Sequence, residues 1–234
     1  MAQANIDVTL LDLGSALDER PRATHYSPPA SKELEKAGVL QDVWDRGFVP
    51  HEGIAWKKLD MTRIASFPPL PPQMQTPENG LLCLPLNKLG RVFLEHIEKY
   101  PSAKILWSHE VIGIEQNEKE ATVIVKTPEG EKRMSADYII GCDGANSKIR
   151  RSLFGDWVFP GFTWEEQIVA TNVFPSFCFL TQVYYPFEKH GVEGGQFIVD
   201  PEHWHMVTRI SKDGMYRVSY GELTGLTHEQ VSQI

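Results

Sequence analysis

Two aspartates stand where a carboxylate can do recognition chemistry. Asp12 ends the apolar, β-branched run Ile6-Asp7-Val8-Thr9-Leu10-Leu11, and Asp143 follows the run Tyr138-Ile139-Ile140-Gly141-Cys142. A carboxylate at the carboxyl end of a buried strand accepts hydrogen bonds from both vicinal hydroxyls of a ribose, which is how many dinucleotide sites read the adenosine half. Aspartate also favours the turn that follows a strand, and at Asp12 the residues alone leave both readings open. At Asp143 the context is richer. Gly144 permits close backbone approach, and Ala145-Asn146-Ser147-Lys148-Ile149-Arg150 opens a helix beside a small hydroxyl. Strand end, glycine and helix start together suit polyhydroxyl and phosphate groups. Arg20 and Arg22, downstream of Asp12, can reach a phosphate or lie in water.

A second set of candidates lies in the carboxyl-terminal third. Of the 24 aromatic residues, 14 fall between Trp157 and Tyr220, a density that suits either a packed core or a wall around a planar apolar substrate. Arg209 and Tyr220 sit on strand-like runs, where each can orient a phenolate or carboxylate or face solvent. His203 and His205, with Glu202 and His190 nearby, have two-residue spacing but no third ligand fixed by spacing, so no metal is expected. No residue is assigned a catalytic role.

These side chains need elements to position them. Ile6 to Asp12 and Tyr138 to Cys142 read as buried strands. Ser27-Pro28-Pro29 starts a short helix that stops at Gly38, and Asn87 caps a helix carried by Leu89, Phe93, Ile97 and Tyr100 until Pro101. Residues 47–72 form an excursion with strands at Gly53 to Leu59 and Arg63 to Phe67, closed by a proline-rich exit. Ile105 to Trp107, Val111 to Ile114, Thr122 to Val125 and a return strand through Met134 read as an antiparallel meander. A helix through Ile149 to Leu153 ends near Gly155. Beyond it, strand-like runs occur at Ile168 to Phe174, Phe179 to Tyr185, Gln196 to Val199, His205 to Ile210 and Tyr216 to Tyr220, with a helix at Leu226 to Ile234. The pattern predicts an α/β fold with an inserted antiparallel meander, a boundary near residue 156 and a strand-rich region over 157–234.

Composition bounds the partners. Hydrophobic residues at 41% and charged residues at 23% exclude disorder as the main state. A formal net charge of -8 repels phosphate backbones and anionic lipids, so neither nucleic acid nor membrane is an expected partner. Cys83, Cys142 and Cys178 are too few and too dispersed for a disulfide framework, which predicts a reducing, cytoplasmic location. No leader and no run of eighteen apolar residues is visible.

The run Arg20-Pro21-Arg22-Ala23, with a helix and Gly38 downstream, and the segment Gly141-Cys142-Asp143-Gly144-Ala145-Asn146-Ser147-Lys148-Ile149-Arg150 resemble the FAD-dependent aromatic hydroxylases of the para-hydroxybenzoate hydroxylase type. The order of the other elements is also similar to that family. The resemblance implies that Asp12 meets the adenosine ribose of FAD, that Arg22 lies beside the flavin, and that Asp143 with Gly144 belongs to a motif shared between FAD and NAD(P)H. It implies an aromatic, phenolic substrate hydroxylated with oxygen through a flavin hydroperoxide, with NADH or NADPH as reductant.

The resemblance and its departures imply a chain truncated at both ends: an incomplete dinucleotide-binding, Rossmann-like parallel sheet over residues 1–156 and a strand-rich substrate domain over 157–234. The family opens on a Gly-x-Gly-x-x-Gly turn, and none of the 18 glycines here makes that pattern. It also carries a Gly-Asp segment that has no counterpart here. Leu86 stands where members usually have Arg or Gln. The resemblance therefore carries an expectation of impaired activity. The alternative is a non-catalytic remnant that pairs through an open sheet edge with a second copy or a complementing polypeptide.

Overall fold

The computed structural model describes residues 1–50, 52–69, 71–155, 162, 167–174, 185–192 and 194–222. In chain order the elements are β1 (Val8–Leu11), β2 (His25–Tyr26), α1 (Pro28–Lys36), α2 (Leu40–Arg46), β3 (Ile54–Lys57), β4 (Arg63–Phe67), β5 (Leu82–Cys83), α3 (Leu86–Ile97), β6 (Ala103–Leu106), β7 (Glu110–Gln116), β8 (Ala121–Thr127), β9 (Gly130–Ala136), α4 (Lys148–Phe154), β10 (Gln167–Val173), β11 (Gly195–Ile198), β12 (His205–Arg209) and β13 (Tyr216–Glu222). The strand run Phe179 to Tyr185 falls almost wholly outside the described residues, as do the helix Leu226 to Ile234 and Cys178. The mixed parallel and antiparallel α/β architecture is the one the sequence predicts.

Two compact units divide the chain. One joins Met1–Asp18 to Leu94–Thr163, and the other joins Glu19–Phe93 to Trp164–Ile234. The division is discontinuous, where the sequence pattern predicts a single cut near residue 156.

In the first unit β1 runs parallel to β6, with Val8 opposite Ala103 and Leu11 opposite Leu106. The β7-β8-β9 meander is antiparallel and turns tightly at Thr127 to Gly130, where Gly130 takes φ 120°. The core is small: Val123, Val125 and Ile149 are buried, and Leu11, Val111, Ile114, Met134 and Ile139 pack against them. β8 supplies this core because its apolar residues alternate along the strand.

Three sequence expectations are corrected here. Ile105 to Trp107 is not part of the meander: β6 pairs with β1 instead. Tyr138 to Cys142 is not a buried strand. It carries no ladder among the described residues, and Tyr138 and Ile140 are 88% and 60% exposed. An extended segment becomes a sheet strand only when a neighbour takes up its N–H and C=O groups, and hydrophobicity alone does not supply one. β1 likewise is half exposed along its length rather than buried, with Leu10 41% exposed, because β6 is its one ladder neighbour among the described residues.

The second unit holds a six-stranded sheet in the order β10-β13-β12-β11-β3-β4. β3 and β4, the strands of the 47–72 excursion, are therefore built into the same sheet as the carboxyl-terminal strands, with β3 parallel to β11. The hairpin needs glycine at its entry: Gly53 has φ +76°, and a Cβ there would lie 2.4 Å from the Phe67 carbonyl oxygen. α1 starts on Pro28 and Pro29, whose missing N–H groups cost nothing in a first turn, and is followed by Gly38 at φ +74°. Leu34, Val39, Leu40, Val43, Val49, Leu82, Leu84, Leu89 and Val92 form the largest apolar cluster among the described residues. α2, β2 and β5 add to the helices and strands that the sequence pattern predicts.

Candidate functional site

In the first unit the two predicted carboxylates flank one apolar cluster. Leu11, the residue before Asp12, and Ile149, whose N–H donates to Asp143, both pack in it. Asp12 is exposed at the carboxyl end of β1. Its Oδ1 accepts the Gly14 N–H at 2.7 Å, and its other oxygen has no partner among the described residues. The Asp12 carbonyl accepts the His109 N–H at 2.8 Å, which anchors the strand end to the segment after β6.

Asp143 spends its carboxylate differently. Oδ1 accepts the Ser147 hydroxyl at 2.6 Å, and Oδ2 accepts the Lys148 and Ile149 N–H groups at 2.6 and 3.1 Å. Ser147 Oγ in turn accepts the Arg150 N–H at 3.0 Å and caps α4. Burial pushes the Asp143 carboxyl up, but the bonds from Ser147 and the backbone outweigh it, and the carboxyl lies below its ordinary value. Gly144 takes φ +77° in this loop, which suits glycine. Oδ2 uses both of its lone pairs on the two N–H groups and Oδ1 keeps a second one, so Asp143 holds the loop and retains one exposed acceptor site.

In the second unit Arg22 is exposed, and its carbonyl accepts the Arg217 Nη1–H at 2.7 Å. Asn87 does not cap α3, which already begins at Leu86. Its amide donates to Glu19 at 2.5 Å, and Arg91 pairs with the same carboxylate at 2.6 Å.

The register of the six strands sorts their side chains onto two faces. Ile168 and Asn172 of β10, Arg217 and Ser219 of β13, Met206 of β12, Phe197 of β11 and Trp56 of β3 share one face. Val207, Tyr216 and Val218 share the other, packed with Phe187 into a small core. An open groove of about 460 Å³ lies on the first face, lined by Trp56, Phe197, Met206, Ile168, Trp204 and Ser219 among others. Trp56 and Phe197 stack with centroids 5.4 Å apart, and Phe67 meets Trp56 edge-on at 5.5 Å. Gly221 lies under the Trp204 indole, where a Cβ would come within 2.6 Å of the ring.

Arg209 and Tyr220 lie on the opposite face from the groove, because odd and even positions of a strand point oppositely. The Arg209 guanidinium donates to the Ser211 and Lys212 carbonyls at 3.0 and 2.6 Å and sits 5.3 Å from the centroid of the Phe48 ring. His205 Nδ1 bonds the His203 carbonyl at 2.9 Å.

Comparison with known proteins assigns the chain. Residues 1–177 match the sequence profile of the FAD binding domain. The chain belongs to this FAD binding domain family. The family's cofactor fits what Asp12 offers: an exposed carboxylate at the carboxyl end of a parallel strand, with one oxygen unpartnered, can accept a ribose hydroxyl.

The chain is similar to the para-nitrophenol 4-monooxygenase of a Pseudomonas species, with 30% identity over 231 residues that cover 99% of this chain and 54% of the relative. It is 27% identical over 233 residues to the 6-hydroxy-3-succinoylpyridine 3-monooxygenase HspB of Pseudomonas putida, covering 99% and 56%. Its fold matches the crystal structure of p-nitrophenol 4-monooxygenase PnpA from Pseudomonas putida with a TM-score of 0.85 at 30% identity, covering 99% of this chain and 55% of that one. The chain thus spans about half the length of the curated relatives it matches.

Sequence reasoning missed the groove face, and with it Trp56, Asn172 and Arg217. The signal was present in Tyr216-Arg217-Val218-Ser219-Tyr220, where polar residues alternate with apolar or aromatic ones and so share one face of β13.

Proposed function

We propose that the chain carries the cofactor- and substrate-recognition parts of an FAD-dependent monooxygenase that hydroxylates a phenolic ring, with NADH or NADPH as reductant and oxygen as co-substrate. The observation that carries this reading is likeness to a para-nitrophenol 4-monooxygenase along 99% of the chain. FAD, when bound, supplies the redox chemistry. Asp12 accepts hydroxyls of the adenosine ribose, Asp143 and Gly144 shape and present a polar loop, and Arg22 lies on the flavin side. Trp56, Phe197 and Trp204 give a planar ring an apolar wall and exclude water from it. The location proposed is the cytoplasm, on the dispersed cysteines; no helix among the described residues is long and apolar enough to cross a membrane.

The test is to supply the purified chain with FAD, NADH or NADPH, and a panel of phenols, and to follow reductant oxidation and hydroxylated product by mass spectrometry. The expected result is product that depends on both FAD and phenol. Absence of phenol-dependent product at saturating FAD contradicts the reading.

A second reading, a non-catalytic module that pairs with another copy or polypeptide, is favoured by one observation. Leu13, Tyr138 and Ile140 of the first unit are 75%, 88% and 60% exposed. Light scattering after size exclusion separates the two: a stable dimer that holds no added flavin favours the module.

A further inference from the structure

The groove on the six-stranded sheet carries charge of one sign. Trp56, Phe197, Met206 and Ser219 form a row across β3, β11, β12 and β13, and Asp200 and Trp204 stand beyond that row, where β11 turns back into β12. Among the described residues that line the groove Asp200 is the only acid, and none is a lysine or arginine. Asp200 Oδ1 accepts the Glu202 and His203 N–H groups at 3.0 and 2.8 Å, which fixes the carboxylate, while Oδ2 has no partner among the described residues. Those two bonds, from His203 first and Glu202 second, hold the carboxyl below its ordinary value, so it meets a ligand as an anion. The Trp204 indole lies over Gly221 and is 38% exposed. His205 Nδ1 is taken by the His203 carbonyl.

An apolar groove takes its specificity from the few polar groups set into it. Here the charged one is a fixed carboxylate with an open oxygen. The faces of indole and phenyl rings carry negative potential and attract cations, a carboxylate bonds an ammonium more strongly than a neutral donor, and the net charge of -8 has the same sign. All three favour a cation and repel an anion. We infer that the groove is a site for an aromatic ring bearing an ammonium group, with the ring against Trp56, Phe197 and Met206 and the ammonium on Asp200 Oδ2. Asp200 is the specificity-determining residue, and Trp204 adds an aromatic face at the same end of the groove. This inference rests on the phenol-hydroxylase reading and narrows its substrate class to phenols that carry an amine.

The probes are tyramine, 4-ethylphenol and 4-hydroxyphenylacetate, three phenols whose side chains are cationic, neutral and anionic at neutral pH, each titrated into the full chain by calorimetry. The inference predicts that the unaltered protein binds tyramine about fivefold or more tightly than 4-ethylphenol, and 4-hydroxyphenylacetate more weakly than either. Asp200→Asn keeps an oxygen for the Glu202 and His203 N–H groups but removes the charge, and is expected to bring the ratio of tyramine to 4-ethylphenol affinity down to about one. Where Asp200→Asn does not fold by circular dichroism, the order of the three probes on the unaltered protein, and its narrowing at high salt, decide. Equal binding of the three phenols, a preference for the anion, or a tyramine preference that survives Asp200→Asn overturns the inference and leaves the phenol-hydroxylase reading standing. Binding of none of the probes overturns the inference and counts against the reading itself, and a dimer by light scattering in that case assigns the groove to a second copy of the chain.

Discussion

The two units differ in what they bury: among the described residues the buried charged side chains, Lys57 and Arg217, belong to the second unit, and the buried polar side chains of the first are Thr122 and Thr127. In the first unit, apolar side chains lie in water: Leu10, Leu13, Tyr138 and Ile140 are all exposed around a two-stranded parallel sheet. In the second, polar and charged side chains are buried: Lys57, Gln196 and Arg217 are each at most 7% exposed within a six-stranded sheet. Lys57 and Gln196 both donate to the Gly191 carbonyl, at 3.1 and 2.7 Å, so on that face burial is matched by backbone acceptors. The contrast teaches that strand character follows from neighbours. The inner strands of the six-stranded sheet have a ladder neighbour on each side and hold buried polar groups, whereas its edge strands leave Ile64, Phe67 and Ile168 exposed, as β1 with its one neighbour leaves Leu10.

The sharpest way to break this contrast is to delete apolar atoms from each unit. Ile210 is fully buried in the second unit, and Ile210→Ala is expected to cost about 2–5 kcal/mol. Tyr138→Ser in the first unit is expected to change stability by no more than about 0.5 kcal/mol. Urea titration of the two variants compares them directly, and a large loss from Tyr138→Ser would show that the segment is packed in solution.

Glycine substitutions sharpen the same comparison. Gly53 and Gly144 share a left-handed φ, but a Cβ at Gly53 meets the Phe67 carbonyl at 2.4 Å, whereas one at Gly144 meets nothing within 4 Å. Gly53→Ala is expected to cost about 3 kcal/mol or more, and Gly144→Ala about 1–2 kcal/mol. Thermal unfolding of both variants checks the ratio.

The buried polar groups of the second unit also predict a pH dependence. Burial first, and Arg217 second, lower the pKa of His25 in the folded chain. Below the ordinary value of 6.5 the unfolded chain takes up a proton that the folded chain refuses. Stability is therefore lost as pH falls from there towards the lowered folded value. The midpoint of urea unfolding should fall across that window, and His25→Gln should flatten the fall.

The smallest expected effect is kinetic. Cys83 is buried with its thiol pushed up to about 12, while Cys142 is exposed. Peptide mapping after brief iodoacetamide treatment should find Cys142 modified and Cys83 intact until the chain is unfolded.

Much of the fold was legible because local chemistry and tertiary structure agreed. Pro28-Pro29 with Gly38 bounded α1, and the Thr127 to Gly130 turn closed a hairpin. The runs at Arg63 to Phe67 and Tyr216 to Tyr220 are strands where alternation and β-branched or aromatic residues place them. What failed depended on partners distant in sequence. Tyr138 to Cys142 has strand chemistry but no neighbour, and β6 takes β1 as partner across more than ninety residues. β3 joins β11 across a longer separation still. At the candidate site, Asp12 was legible as a strand-end acid, whereas the segment before Asp143, read as a strand, forms none. That Asp143 also caps α4 through Ser147 required the loop geometry. That Arg209 and Tyr220 lie on the face opposite the groove was not legible, because residue type does not tell which face of β12 or β13 is covered.

The central claim is that the exposed carboxylate of Asp12 grips the nucleotide half of FAD. Equilibrium dialysis of the purified chain against FAD, with and without Asp12→Ala, tests it most directly. The account predicts saturable binding that weakens about fivefold or more in the variant, consistent with the loss of one or two charge-assisted hydrogen bonds. Identical FAD affinity in the two proteins, or no saturable binding by the unaltered chain, would contradict it.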